Sequence, residues 1–208
     1  MARRRGGAVG LLAVVALLGL GVYFFRDRIP GLGGGGSVAA TKVSPEAAAQ
    51  AQEKLARMRK DQDTVHLTDV EFTSLLRYDL AGLTGPLREP AVDFVDNTLK
   101  LTGKVPKDLL PDSPELARVG GFLPDTVDVR VGGSLRPLRA GHGALNVQEV
   151  AVAGFPVPAS YYPMALERLG RRPEAGAEPH EFPFTLPPGI ASAEVVGGAL
   201  VLTPSTNQ

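Results

Sequence analysis

The sequence predicts an α+β protein: an N-terminal transmembrane helix followed by a curved antiparallel β-sheet packed on two or three helices. Three observations lead there. An uncharged run of 20 residues, GGAVGLLAVVALLGLGVYFF, lies between Arg5 and Arg26. Beyond residue 44, short apolar stretches alternate with polar residues and are joined by Asn- or Gly-containing turns, the pattern of antiparallel strands with one buried face. Two further stretches carry helix-start chemistry ahead of apolar residues at helical spacing.

The N-terminal run would span roughly 30 Å as a helix, the thickness of a bilayer's hydrocarbon core. Tyr23, Phe24 and Phe25 stand at its far end, where aromatic rings favour the membrane interface. Arg3, Arg4 and Arg5 precede it, while the flank after it is the weaker Arg26-Asp27-Arg28. The positive-inside rule then places residues 1–7 in the cytoplasm, 8–25 in the membrane as a signal anchor, and the remainder outside. A cleaved signal peptide is the rival reading, with Val38-Ala39-Ala40 as its best small-residue site, and a buried soluble helix is a third. Residues 26–43, which include GLGGGGSVAATK, read as a Gly-rich tether. Residues 44–205 read as the extracytoplasmic domain. The 22 basic and 22 acidic side chains of the whole chain conceal this division. Residues 1–40 carry five Arg against one Asp, a net of +4, and the rest carries −4.

Within the domain, Ser44-Pro45-Glu46 is an N-cap, a first-turn Pro and an acid at the positive helix end. Ala48, Ala51, Leu55 and Met58 follow at helical spacing, which predicts a peripheral helix to about Lys60. Thr64–Leu67 reads as a short strand. Thr68-Asp69-Val70-Glu71 matches a capping box, with Leu67 and Phe72 placed as a hydrophobic staple, and predicts a core helix over 69–80. Val92–Val95 and Leu99–Thr102 form a hairpin across Asp96-Asn97-Thr98. Val127, Val129 and Val131 alternate with charged residues and are expected to turn at Gly132-Gly133 into 134–139. A further turn at 141–143 leads into a strand over 144–153. There the apolar positions change parity near Gln148-Glu149, which predicts a β-bulge and a bent sheet. Ser113-Pro114-Glu115 starts a short helix, and 158–169 a third helix ending at Gly170. Residues 171–189 read as a long Pro-rich surface loop. Ala193–Val196 and Ala199–Leu202 close the chain as a hairpin through Gly197-Gly198.

Little in the sequence names chemistry. There is no Cys, which excludes disulfides, thiolate metal sites and a Cys nucleophile. Zero net charge argues against a nucleic-acid partner. His66, His142 and His180 are not spaced as metal ligands, and no nucleophile elbow, phosphate loop, dinucleotide fingerprint or zincin motif occurs. His142 between two glycines reads as a solvated turn residue, and Asp125 and Asp128 as a solvated strand face. The expectation is therefore a non-enzymatic protein with no cofactor and no metal. Tyr161, Tyr162, Met164 and Leu166 on the third helix, with Phe72, Leu75 and Leu76 on the second, are either ordinary core or the lining of an apolar ligand groove.

The order of anchor, helix and HLTDVEFTSLLRY (66–78) resembles the opening of the YpmS family of bacterial, membrane-anchored extracytoplasmic proteins. GSLRPLRAGHGALNVQEVAVAGFPVPASYYPMALERLG (133–170) and LPPGIASAEVVGGALVLT (186–203) resemble the strand, turn and helix passage and the closing hairpin of that group. The resemblance implies an elongated, curved sheet wrapped on a helix, as in tubular lipid-binding proteins, and non-catalytic binding of a lipid or other apolar envelope ligand. The alternatives are an envelope assembly or scaffold protein that recruits a protein partner by its concave face or by strand addition, and an envelope hydrolase. The expected location is the cell membrane, single-pass, with the main domain periplasmic.

Overall fold

The computed structural model describes residues 42–80, 87–107, 124–168 and 171–205. The expected transmembrane segment, the tether up to residue 41 and the short helix at Ser113 lie outside them. Among the described residues no helix is long and apolar enough to cross a membrane.

The first helix, α1 (Pro45–Asp61), begins as its cap requires: Ser44 Oγ accepts from Ala47 N at 3.2 Å. It ends where Gln62 turns left-handed (φ 59°) and its N–H closes on Met58 O. Ala47, Ala48 and Ala51 are buried, so the helix lies close against its neighbours. Strand β1 (Val65–Leu67) follows. The second helix, α2, starts with the predicted capping box: Glu71 N donates to Thr68 Oγ1 at 3.2 Å and Thr68 N to Glu71 Oε2 at 2.9 Å. Only Asp69–Ser74 is α-helical, however; Leu75–Asp79 widens into a π-helical turn.

Strands β2 (Arg88–Val95), β3 (Thr98–Pro106), β4 (Thr126–Arg139), β5 (His142–Val152) and the two-residue β6 (Phe155–Pro156) form one antiparallel sheet in that order. Strand β7 (Glu181–Thr185) joins it beside the start of β5. The closing hairpin, β8 (Ile190–Val196) and β9 (Ala199–Pro204), turns at Gly197-Gly198, where both residues have positive φ. It does not extend the large sheet. Strand β9 pairs with β1 instead, which makes a separate three-stranded sheet, β1-β9-β8.

The α+β expectation is thus corrected. The described chain is mostly antiparallel β, with nine strands in two sheets and three helices. Two physical reasons account for the difference. The third helix shrinks to a 3-10 turn (Ala159–Tyr161) and the seven-residue α3 (Tyr162–Arg168), since Pro163 supplies no N–H and suits only a first turn. The expected 171–189 loop contains β7, in which Phe182 and Phe184 are buried and alternate with Pro183.

Gly132-Gly133 is not a turn either. Strand β4 runs straight through it, and the hairpin turns at 140–141. The predicted bulge is present. Gly132 pairs with Glu149 and Gly133 with Val147, so Gln148 is the extra residue. One extra residue reverses strand parity, which lets Val147 and Val150 face the same side. Cross-strand partners share a face, so Val92, Leu101, Val131 and Val150 make one apolar row, and Phe94, Leu99, Gly133 and Val147 the next. Strand β8 packs across β4 and also meets β3 and β5, and α2 packs on β2. A single buried cluster joins both sheets to α1, α2 and α3.

Candidate functional site

Five of the seven groove candidates are core residues. Phe72, Leu75, Leu76, Tyr162 and Leu166 are all buried in the main cluster. Phe72 stacks at a tilt on Phe94, with centroids 5.9 Å apart. The structure therefore brings these five into one packed interior. Tyr161 is half-buried, and Met164 is 47% exposed. The Tyr162 hydroxyl satisfies a backbone group of the large sheet, accepting from Val150 N at 3.1 Å just past the bulge.

A feature that the residue pattern did not predict is the apolar path out of this core. Gly103, Val129, Val152 and Phe155 are successive cross-strand partners, so they form a third row on the apolar face. Val127 and Val152 are buried in a satellite cluster with Val129, Ala153 and Val157 around them, and Val129 and Val157 also touch the main core. The row ends at Phe155, which is 57% exposed. The signal for it was legible as a charge gap: no charged residue occurs from Val150 to Leu166.

Polar chemistry concentrates on the opposite side of the sheet. Glu181, 2% exposed, takes a bidentate contact from Arg136 (Nε to Oε1 2.6 Å, Nη2 to Oε2 2.7 Å) and a third bond from Glu178 N at 2.8 Å. The Arg136 hydrogen bond holds its carboxyl below the usual carboxylate range, against the opposing effect of burial. Glu174 Oε1 lies 3.0 Å from Arg139 Nη2 and 2.9 Å from His142 Nδ1. Arg171 donates to the carbonyls of Glu181 and Glu178, and Arg136 also reaches Gly176 O. These bonds fasten residues 171–180 onto the sheet. His142 is consequently a half-buried strand residue rather than the solvated turn residue expected. On α2, Glu71, also buried, pairs with Lys54 Nζ at 2.8 Å while it closes its capping box.

Glu71 and Glu181 are each matched to a cation, so neither offers the free carboxylate that acid–base chemistry needs. His66 is exposed on β1. Asp79, at the end of the π turn, has its carboxyl pushed up by burial, with Gln52 opposing the shift. Among the described residues no three His, Asp or Glu side chains are placed to share a metal ion.

Three sheet edges are closed to an added strand. Thr73 Oγ1 takes Val92 N at 2.9 Å and donates to Val92 O at 3.2 Å, and Arg77 donates to Pro90 O, so α2 covers the edge of β2. Lys54 caps His66 O on β1. On β7, Pro183 has no N–H to offer and Arg171 occupies Glu181 O. Such devices are how natural sheets avoid edge pairing.

No protein-family model matches the chain, and no curated protein or solved structure matches it at a significant level.

Proposed function

We propose that this protein is a membrane-anchored, extracytoplasmic domain that binds or passes on a lipid or other apolar envelope ligand without catalysis. The likeness to the YpmS group is part of the same proposal. One observation carries it: the apolar row Gly103, Val129, Val152 and Phe155 links the buried face of the large sheet to an exposed aromatic side chain at its margin. An acyl chain could follow that row inward by displacing apolar side chains, with no charge to desolvate. The cation-matched acids of the opposite face are consistent with a structural use of its charges.

Native mass spectrometry of the full chain, extracted from its host membrane in mild detergent, tests this. The expected result is a reproducible lipid adduct that is lost in Val129→Arg, a variant whose fold is checked by circular dichroism. A bare chain in every preparation overturns the reading. A second reading, recruitment of an envelope protein partner, is favoured by the closed packing of Phe72, Leu75, Leu76, Tyr162 and Leu166. It predicts a co-purifying protein that survives delipidation. With the edges of β1, β2 and β7 capped, strand addition by such a partner would be confined to the edges of β6 and β8.

A further inference from the structure

Among the described residues, the segment 153–164 differs from the outer faces of β2–β5. Elsewhere the outer faces of β2–β5 carry close-set charges: Asp93 pairs with Lys100, Arg88 with Lys104, and Lys104 with Asp128. Residues 153–164 carry none, yet most of them are exposed. They form β6, the 3-10 turn and the start of α3. The segment is seated on one stretch of β5 by three ties: Phe155 and Pro156 pair with Val152 and Ala151, Val157 N bonds Val150 O at 2.8 Å, and Tyr162 accepts from Val150 N. This seat presents Phe155 and Met164 to solvent at 57% and 47% exposure, with Tyr161 and Val157 of the same segment half-buried.

We propose that this lobe docks on the bilayer itself, with Phe155 and Met164 entering the interfacial layer. The proposal rests on the reading of the chain as membrane-anchored and lipid-binding, and it names the surface through which the lipid would be met. Two arguments select the bilayer as occupant. The first is composition. An exposed patch of aromatic, Met, Pro and Val side chains with no charge suits the boundary between headgroups and acyl chains, where Phe and Tyr rings partition. It has no Lys or Arg for anionic headgroups, so contact should not require anionic lipid. The second is reach. The chain preceding the described domain contains the 20-residue uncharged run and then 18 residues, 26–43, before α1. Fully extended, such a tether covers roughly 60 Å. A domain of this size has a radius of gyration of about 15 Å, so a tether of that length is long enough for this face to reach the membrane.

The chain has no Trp, so Phe155→Trp introduces a single reporter. The full chain would be reconstituted into phosphatidylcholine vesicles, with and without bromine on the acyl chains. Val196→Trp, exposed at the β8–β9 turn, serves as the comparison, and both variants alter exposed positions of an otherwise intact fold. The expected result is blue-shifted emission at position 155, quenching by brominated lipid and protection from acrylamide, with the reverse behaviour at position 196. Equal, acrylamide-accessible emission at both positions overturns the proposal, as does failure of the chain to float with vesicles. Lobe quenching with no lipid adduct in native mass spectrometry keeps the docking surface and removes the ligand-binding reading. An adduct without lobe quenching does the opposite.

Discussion

Substitution of two adjacent glycines separates two explanations for the middle of β4. If Gly132-Gly133 were a turn pair, alanine at either position would act alike. The structure makes them unequal. A Cβ at position 133 would fall inside the contact distance of the Asn146 carbonyl oxygen, 3.0 Å from its carbonyl carbon and 3.2 Å from Leu145 Cδ1. The obstacle is backbone of the paired strand, which cannot swing aside as a side chain can. Overpacking costs about 1–3 kcal/mol, and a backbone obstacle places Gly133→Ala at the upper end, about 3 kcal/mol. A domain of this size loses about 2–4 °C of Tm per kcal/mol, so the expected fall is about 6–12 °C. At position 132 the nearest atoms are side-chain atoms, Glu149 Cβ at 3.3 Å and Oε2 at 3.6 Å, and Lys100 Cγ at 4.0 Å. Alanine there also narrows the unfolded ensemble, which contributes about 0.4–1 kcal/mol in favour of folding. Gly132→Ala should therefore lie within about 1 kcal/mol of the parent. Thermal and urea unfolding followed by far-ultraviolet circular dichroism measures both. Equal losses in the two variants would refute the close-approach argument and the bulge geometry behind it.

Other substitutions probe the polar fastenings. Arg136→Met leaves Glu181 as an unpaired buried carboxylate. Removing one partner of a buried pair costs about 3–5 kcal/mol, and because Arg136 is 39% exposed we expect about 2–3 kcal/mol by urea denaturation. Its pH dependence has a defined sign. In the parent Glu181 titrates below the ordinary carboxylate range, so its contribution is complete above about pH 4.3 and fades as pH falls through its folded value. Without Arg136, burial favours the protonated form, so the variant should be closest to the parent in acid; a loss independent of pH contradicts this. Thr73→Val should cost about 1–3 kcal/mol, because it strands both backbone groups of Val92 at the β2 edge, and Thr73→Ser should restore most of it. Tyr162→Phe removes the hydroxyl that accepts from Val150 N and should cost about 1–3 kcal/mol, with faster amide exchange at Val150 as the second readout.

What was legible in the sequence follows the range of the interactions. The Thr68–Glu71 capping box, the Ser44 cap, the Asp96-Asn97 and Gly197-Gly198 turns and the bulge at Gln148 were legible because each is written within a few residues. The candidate groove was half legible. Its residues do come together, but composition could not say whether apolar side chains that meet fill a core or line a cleft. The exposed lobe was visible as a charge gap, but its Tyr and Met also fit a regular helix, and that pattern concealed it.

By itself the sequence determined the Asp96-Asn97 and Gly197-Gly198 hairpins, the caps, the parity change and the charge division near residue 40, all products of local backbone preference and hydrophobic period. Only tertiary structure decided that β9 takes β1 rather than the large sheet, that Arg136 meets Glu181 across 45 positions, and that Gly133 serves a close strand approach instead of a turn. The physical reason is common to all three. Each depends on which distant backbone or charge arrives at a given place, and that depends on how two sheets share one core.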